Sequence, residues 1–211
     1  GIVREVLLVG TPRMALGDVR TSVKPDNTGI VVHARTTVQN GKSDRPLVDS
    51  NRSAASGDNV TVTAVLRSPN DSSVISTSQQ TARVAKDRVL DIQFDLPVSS
   101  PRLWTPQDPA LYTLSLRVES DGRVNDEISV PVGLAVYSAS TLGSRGFISL
   151  NNQPVFLKAV DYVEEYPDEG STLSCTQIER DVQLLRTLGV NAIHTLFIAP
   201  HPYLAYLCAK N

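Results

Sequence analysis

The chain has 211 residues, 41% hydrophobic and 20% charged, which is enough apolar material for a sizeable core and too much for a disordered polypeptide. With 20 Lys and Arg against 22 Asp and Glu the formal net charge is -2, so no global basic field exists to hold nucleic acid or an anionic membrane surface. No apolar run approaches the roughly 18 residues of a membrane-spanning helix, and the first residues lack the basic and apolar regions of a signal peptide, so the composition reads as a soluble globular fold.

From residue 1 to about 137 the apolar period is two and β-branched residues dominate. Strands are predicted at Ile2 to Val9, Val19 to Lys24, Gly29 to Val38, Asn59 to Arg67, Ser73 to Thr77, Arg88 to Leu96, Leu111 to Glu119 and Arg123 to Tyr137, the last broken near Pro131. The alternation is cleanest in Leu111 to Glu119, where Tyr112, Leu114, Leu116 and Val118 face one way and Thr113, Ser115 and Arg117 the other. Short strands joined by turns such as Ser120-Asp121-Gly122, without helices between them, are the pattern of an immunoglobulin-like antiparallel β-sandwich. The polar stretch from Gln39 to Asp58 reads as a long surface loop. The chain starts at Gly1, already inside a strand-like run, which reads as a piece of something longer.

After about residue 141 the grammar changes. Gly146 to Leu150 and Val155 to Val160 flank Asn151-Asn152, a hairpin-turn signal. Ser174 with Gln177 makes a capping box, and Ile178, Val182, Leu185 and Leu188 form an apolar stripe ended by Gly189 at the C-terminal cap. Val190 to Ile198 reads as a buried strand, and Pro202 opens a second helix through Lys210. Strand, helix, strand, helix is βαβ grammar, so the fold class is mainly β: the sandwich followed by a short α/β segment. A complete (β/α)8 barrel takes about 250 residues, so only its opening fits here. Cys175 and Cys208 have neither CxxC spacing nor the number for a disulfide framework, and both are expected as buried small apolar residues.

The run Leu103-Trp104-Thr105-Pro106-Gln107-Asp108-Pro109-Ala110-Leu111-Tyr112 joins two turn-forming prolines to a Tyr at a strand start, where its hydroxyl can reach back to the backbone in a tyrosine corner. It resembles the Leu-Trp-Ser-Pro-x-x-Pro-x-Leu-Tyr signature of glycoside hydrolase family 2. Gly1-Ile2-Val3-Arg4-Glu5-Val6-Leu7-Leu8 is similar to the strand that closes that family's N-terminal jelly roll, and Gly146 to Lys158 is similar to the hairpin entering its barrel. Glu179 to Ile193 resembles the first barrel helix and second strand, including Asp181, Gly189 and Asn191. The resemblance implies the last jelly-roll strand over residues 1–12, the immunoglobulin-like domain over 13–140 and the N-terminal part of a (β/α)8 barrel over 141–211. It further implies retaining hydrolysis of a β-linked glycoside by the intact parent, a carbohydrate partner and no cofactor or metal. The family's two catalytic glutamates lie on later barrel strands, so this piece carries no catalytic residue and contributes scaffold and part of the sugar pocket.

Two stretches depart from the family pattern. Where the family has Gly-x-Asn-x-His followed by an acid, the chain has Ala159-Val160-Asp161-Tyr162-Val163-Glu164, and where it has Asn-Ala-Val-Arg-Thr-Ser-His the chain has Asn191-Ala192-Ile193-His194-Thr195-Leu196-Phe197. Asp161, Glu164 and His194 are therefore the expected substrate-binding residues, from an acidic run that includes Glu165, Asp168 and Glu169 and that a helix N-terminus also favours electrostatically. His201 is less favoured, and His33 reads as a structural or surface residue. Trp104 is expected to pack between the sandwich edge and its neighbour, and Asn51, Asn59 and Asn70 match the glycosylation sequon. The replaced positions keep a second reading open, a non-catalytic immunoglobulin-like carbohydrate-binding or interaction module, and a third, a spacer between jelly roll and barrel. Unpaired barrel edges would favour a homo-oligomer.

Overall fold

A computed structural model describes residues 6, 8–27, 29–41, 57–142, 145–168, 170–196 and 199–211. The chain divides into two compact units, one made of Val9–Leu103 and Ala110–Val136, the other containing Trp104–Pro109 and Tyr137–Asn211.

The first unit is the antiparallel sandwich. One sheet centres on β3 (Gly29–Asn40), which pairs along its whole length with β6 (Arg88–Val98) and on its other edge with β2 (Arg20–Asp26) and then β1 (Met14–Leu16). The second sheet runs β5 (Val74–Ala85), β4 (Gly57–Arg67), β7 (Leu111–Ser120), β8 (Arg123–Gly133). Alternate residues of the four inner strands meet in one core: Val32 and Val38, Val62 and Leu66, Phe94 and Leu96, Leu114 and Leu116. Period-two patterning produces this directly, since each strand offers one apolar face and both sheets bury theirs together. Asn40 is buried among them and fully served. Its Nδ2 donates to Asp58 Oδ2 and to the Val84 carbonyl, both at 2.9 Å, and its Oδ1 accepts from Arg13 Nε at 3.1 Å. The tyrosine corner forms as expected, with the Arg102 N–H donating to the Tyr112 hydroxyl at 2.9 Å.

Several boundaries move. The strand predicted at Ser73 to Thr77 runs on to Ala85, because β5 is an edge whose exposed positions need no apolar residue. β8 passes through Pro131, which an edge strand tolerates. The Gln39 to Asp58 loop yields Gln39 and Asn40 to β3 and Gly57 and Asp58 to β4, and positions 42–56, with the sequon at Asn51, lie outside the described residues. Of the strand predicted at Ile2 to Val9, positions 2–5 and 7 likewise lie outside them.

The second unit opens with a three-stranded meander, β9 (Tyr137–Leu142), β10 (Arg145–Leu150) and β11 (Gln153–Val155). Asn151 and Asn152 take φ of 52° and 64°, the pair of left-handed residues that a tight hairpin turn demands and that Asn tolerates. What was predicted as one strand from Val155 to Val160 is split, and β12 (Ala159–Asp161) pairs in parallel with β13 (Ala192–His194) across the helix α1 (Cys175–Thr187). Asn191 fixes the start of both strands: its Oδ1 accepts from the Lys158 N–H at 2.7 Å and its Nδ2 donates to the Phe156 carbonyl at 2.9 Å.

Helix α1 begins and ends as its sequence dictates. The Ser174 side chain accepts from the Gln177 N–H, and Gly189 at φ 74° closes a Schellman motif in which Val190 N–H reaches the Leu185 carbonyl at 3.0 Å. Ile178 and Val182 pack with Leu173 and with Leu204 and Leu207 of α2 (Pro202–Lys210). Leu188, expected in the apolar stripe, is 69% exposed, since it caps the helix in the turn where the stripe has left the partner helix. The predicted buried strand Val190 to Ile198 is three residues long and half-buried to exposed, its sheet having only two strands among the described residues. Cys175 and Cys208 are exposed, contrary to expectation, because α1 and α2 turn only Ile178, Val182, Leu204 and Leu207 into their shared core.

Candidate functional site

Parallel pairing brings two of the expected substrate-binding residues, Asp161 and His194, face to face. In the β12/β13 register Asp161 is opposite His194, and Asp161 Oδ1 lies 2.9 Å from His194 Nδ1. Both side chains stand at the C-terminal ends of their strands and are largely exposed, 69% and 64%. An ionised carboxylate only accepts, so Nδ1 carries the proton of this bond, and Nε2 is the ring nitrogen left for an incoming group. The ladder continues one step further, with the Tyr162 N–H donating to the His194 carbonyl at 2.9 Å.

Beyond Asp161 the chain turns into the loop that leads to α1. Its two tyrosine hydroxyls converge on one carboxylate: Tyr162 donates to Asp181 Oδ2 and Tyr166 to Asp181 Oδ1, each at 2.6 Å, and Gln177 Nε2 adds a third bond at 2.9 Å. Burial, and then the bonded Asp181 carboxylate, push the Tyr162 phenol well above its ordinary value, so it stays a donor. Tyr166 and Gly170 close the loop with reciprocal backbone bonds of 3.0 and 2.8 Å. Glu164, between the tyrosines, does not join the Asp161–His194 pair. Its Oε1 accepts from the His201 N–H at 2.6 Å.

Tyr162, Val163 and Glu164 form one wall of a cavity of about 140 Å³ whose other wall is Thr195, Leu196, Ala199 and Pro200. Leu196 holds φ of 55°, a left-handed conformation that costs a branched residue on the order of 1–3 kcal/mol, at the loop that follows β13. The cavity lies one residue beyond the pair in the chain: Tyr162 and Thr195 line it, whereas Asp161 and His194 do not. Among the described residues no group of three or more His, Cys, Asp or Glu side chains stands close enough to hold a metal ion.

The remaining candidates have structural partners. His201 is the N-cap of α2, its Nδ1 accepting from the Tyr203 N–H at 3.0 Å. His33 faces Asp95 across the β3/β6 ladder at 2.6 Å. The Trp104 indole N–H donates to the Ala209 carbonyl at the end of α2, 2.6 Å away, and the Trp104 carbonyl accepts from Asn151 Nδ2 at 3.0 Å. Glu169 and Phe197 lie outside the described residues. Sequence reasoning missed Asp181 as the centre of a network. The available signal was a carboxylate on the helix face that also carries Ile178 and Val182.

Comparison with known proteins gives the site its context. The model of the family described as glycosyl hydrolases family 2 matches residues 18–134. The β-galactosidase BoGH2A of Bacteroides ovatus is 30% identical over 214 residues, covering 100% of this chain and 23% of that protein. A β-glucuronidase of Bacteroides fragilis is 33% identical over 116 residues, covering 54% of this chain and 16% of that protein. Among solved structures, a Bacteroides uniformis β-glucuronidase superposes with a TM-score of 0.80 at 16% identity, covering 95% of this chain and 23% of the other, a likeness of fold. The chain thus spans about a quarter or less of the length of these relatives. With more than half its residues inside the family match, the chain belongs to glycosyl hydrolase family 2.

Proposed function

We propose that the chain supplies the immunoglobulin-like sandwich and the opening of the barrel to a longer family 2 enzyme that hydrolyses a β-linked glycoside with retention of configuration. On this reading residues 1–12 end a jelly roll, 13–140 form the sandwich and 141–211 begin the barrel. The observation that carries it is the Asp161–His194 pair at the joined C-terminal ends of two parallel strands, the end where barrels of this kind bind substrate. The matched relatives named β-galactosidase and β-glucuronidase support a carbohydrate partner.

The chemistry follows from that placement. Retention takes two carboxyl groups about 5–5.5 Å apart, one protonating the departing oxygen while the other attacks the anomeric carbon. In this proposal those groups come from later barrel strands. The chain's own residues orient the sugar: Asp161 accepts from a hydroxyl, His194 Nε2 meets a second, and Val163 and Leu196 exclude water from one side of the ring.

The test is release of aryl alcohol from a panel of aryl β-glycosides by the full-length polypeptide, with the first-formed sugar anomer read by proton NMR. Cleavage of at least one β-glycoside with the β-anomer formed first is expected. No release from any member overturns the enzyme assignment, and saturable sugar binding without release would make the chain part of a non-catalytic carbohydrate-binding module.

A further inference from the structure

We propose that Asp181 is a positioning residue for the site at the ends of β12 and β13, a role that rests on the reading of that site as a sugar pocket. Asp181 is 7% exposed and lies on α1, away from the cavity wall. A carboxylate placed there costs several kcal/mol of desolvation unless hydrogen bonds offset it, and an apolar residue would pack at that position without the cost. Both of its oxygens are engaged, Oδ2 by Tyr162 and Oδ1 by Tyr166 and Gln177. The two tyrosines bracket Val163 and Glu164, so one carboxylate fixes both ends of the segment that forms the cavity wall. Glu164 then ties the middle of that segment to the backbone at the start of α2. Three anchors on a loop this short restrain Val163 in the cavity wall, and the first of them falls on Tyr162, directly after Asp161. Asp181 touches no substrate in this arrangement. It determines where the groups that do touch it stand.

The experiment uses the full-length polypeptide and three variants, Asp181→Asn, Tyr166→Phe and Glu179→Gln. Glu179 is on the same helix but exposed, bonded to the Tyr203 hydroxyl and outside the site. Hydrogen–deuterium exchange over residues 162–170 is expected to quicken about tenfold in Asp181→Asn and measurably in Tyr166→Phe, and to stay at the wild-type rate in Glu179→Gln. KM for the best-cleaved aryl β-glycoside is expected to rise about fivefold or more in Asp181→Asn with kcat changed less than about twofold, the split that misplacement of a binding wall produces. Unchanged exchange overturns the proposal, and so does faster exchange with an unchanged KM, or an equal effect of Glu179→Gln. Tyr166→Phe keeps the question open to decision if Asp181→Asn fails to fold. Should the wild type cleave no aryl β-glycoside, the functional reading fails on that result alone, and exchange by itself decides whether the Asp181 clamp exists.

Discussion

Replacing Tyr112 by Phe removes one oxygen from the sandwich and nothing else. That oxygen accepts from the Arg102 N–H at 2.9 Å, closing the loop between the Trp104 segment and the start of β7, and the Tyr112 side chain is 3% exposed. The ring still fills its place in the core, so the loss is the hydrogen bond together with the partial desolvation of an unpaired backbone donor. Arg102 itself is exposed, which lets water reach the donor in part and holds the cost to about 1–2 kcal/mol rather than the upper end for a fully buried orphan. With a urea slope of about 2 kcal/mol per M, the unfolding midpoint falls by about 0.5–1 M with the slope unchanged. Equilibrium urea unfolding followed by far-ultraviolet circular dichroism measures it, with Thr113→Ala on the outward face of the same strand as the comparison and an expected change under about 0.5 kcal/mol. A Tyr112→Phe midpoint within about 0.2 M of wild type, or a Thr113→Ala effect as large, refutes the account of the corner.

Phe94→Ala empties the centre of the sandwich core and is expected to cost about 3–5 kcal/mol in the same unfolding assay; a loss below about 1.5 kcal/mol would show that the core closes over the gap. Gly189→Ala meets no neighbouring atom within 4 Å, so its cost is the left-handed backbone alone, about 1–2 kcal/mol by thermal unfolding, and a neutral result would contradict the Schellman assignment. The Tyr162 phenol is raised by burial and by Asp181, and that of Tyr203 is pushed up to about 12 chiefly by its bond to Glu179. Both keep their protons in the folded chain where the unfolded chain releases them, so their contribution is complete below about pH 10 and declines as pH rises above it. Unfolding midpoints taken from about pH 9 to about pH 12 should fall, and less steeply in Tyr162→Phe; identical slopes would refute the assignment.

The sandwich was legible because a two-sided sheet writes its burial into alternation. Tyr112, Leu114, Leu116 and Val118 occupy the inner face as the pattern requires. β5 was less legible beyond Thr77, because Gln79, Gln80 and Arg83 on an edge strand read as loop residues when taken alone. In the second unit the caps of α1 were readable from Ser174 and Gly189, local signals acting over a single turn. Length and exposure of β13 were not, since they depend on which strands flank it. Asp161 and His194 were each singled out by their departure from the family pattern, but their meeting depends on the β12/β13 register and was not legible, and Tyr162, Tyr166 and Asp181 share no spacing that marks them as a unit. Only the folded loop brings those three together. The cysteines were misjudged for a related reason: a short helix with one narrow apolar stripe leaves most positions to solvent.

In the proposed function the ends of β12 and β13 hold the sugar of a family 2 hydrolase. Asp161 is exposed and stands outside the core, so Asp161→Ala should leave the unfolding free energy within about 0.5 kcal/mol of wild type. The decisive measurement is therefore KM of the full-length polypeptide for its best aryl β-glycoside, in wild type and in Asp161→Ala. A rise of about tenfold or more with stability preserved is predicted. A wild-type KM and kcat in the variant, or no turnover by the wild type, would contradict the claim.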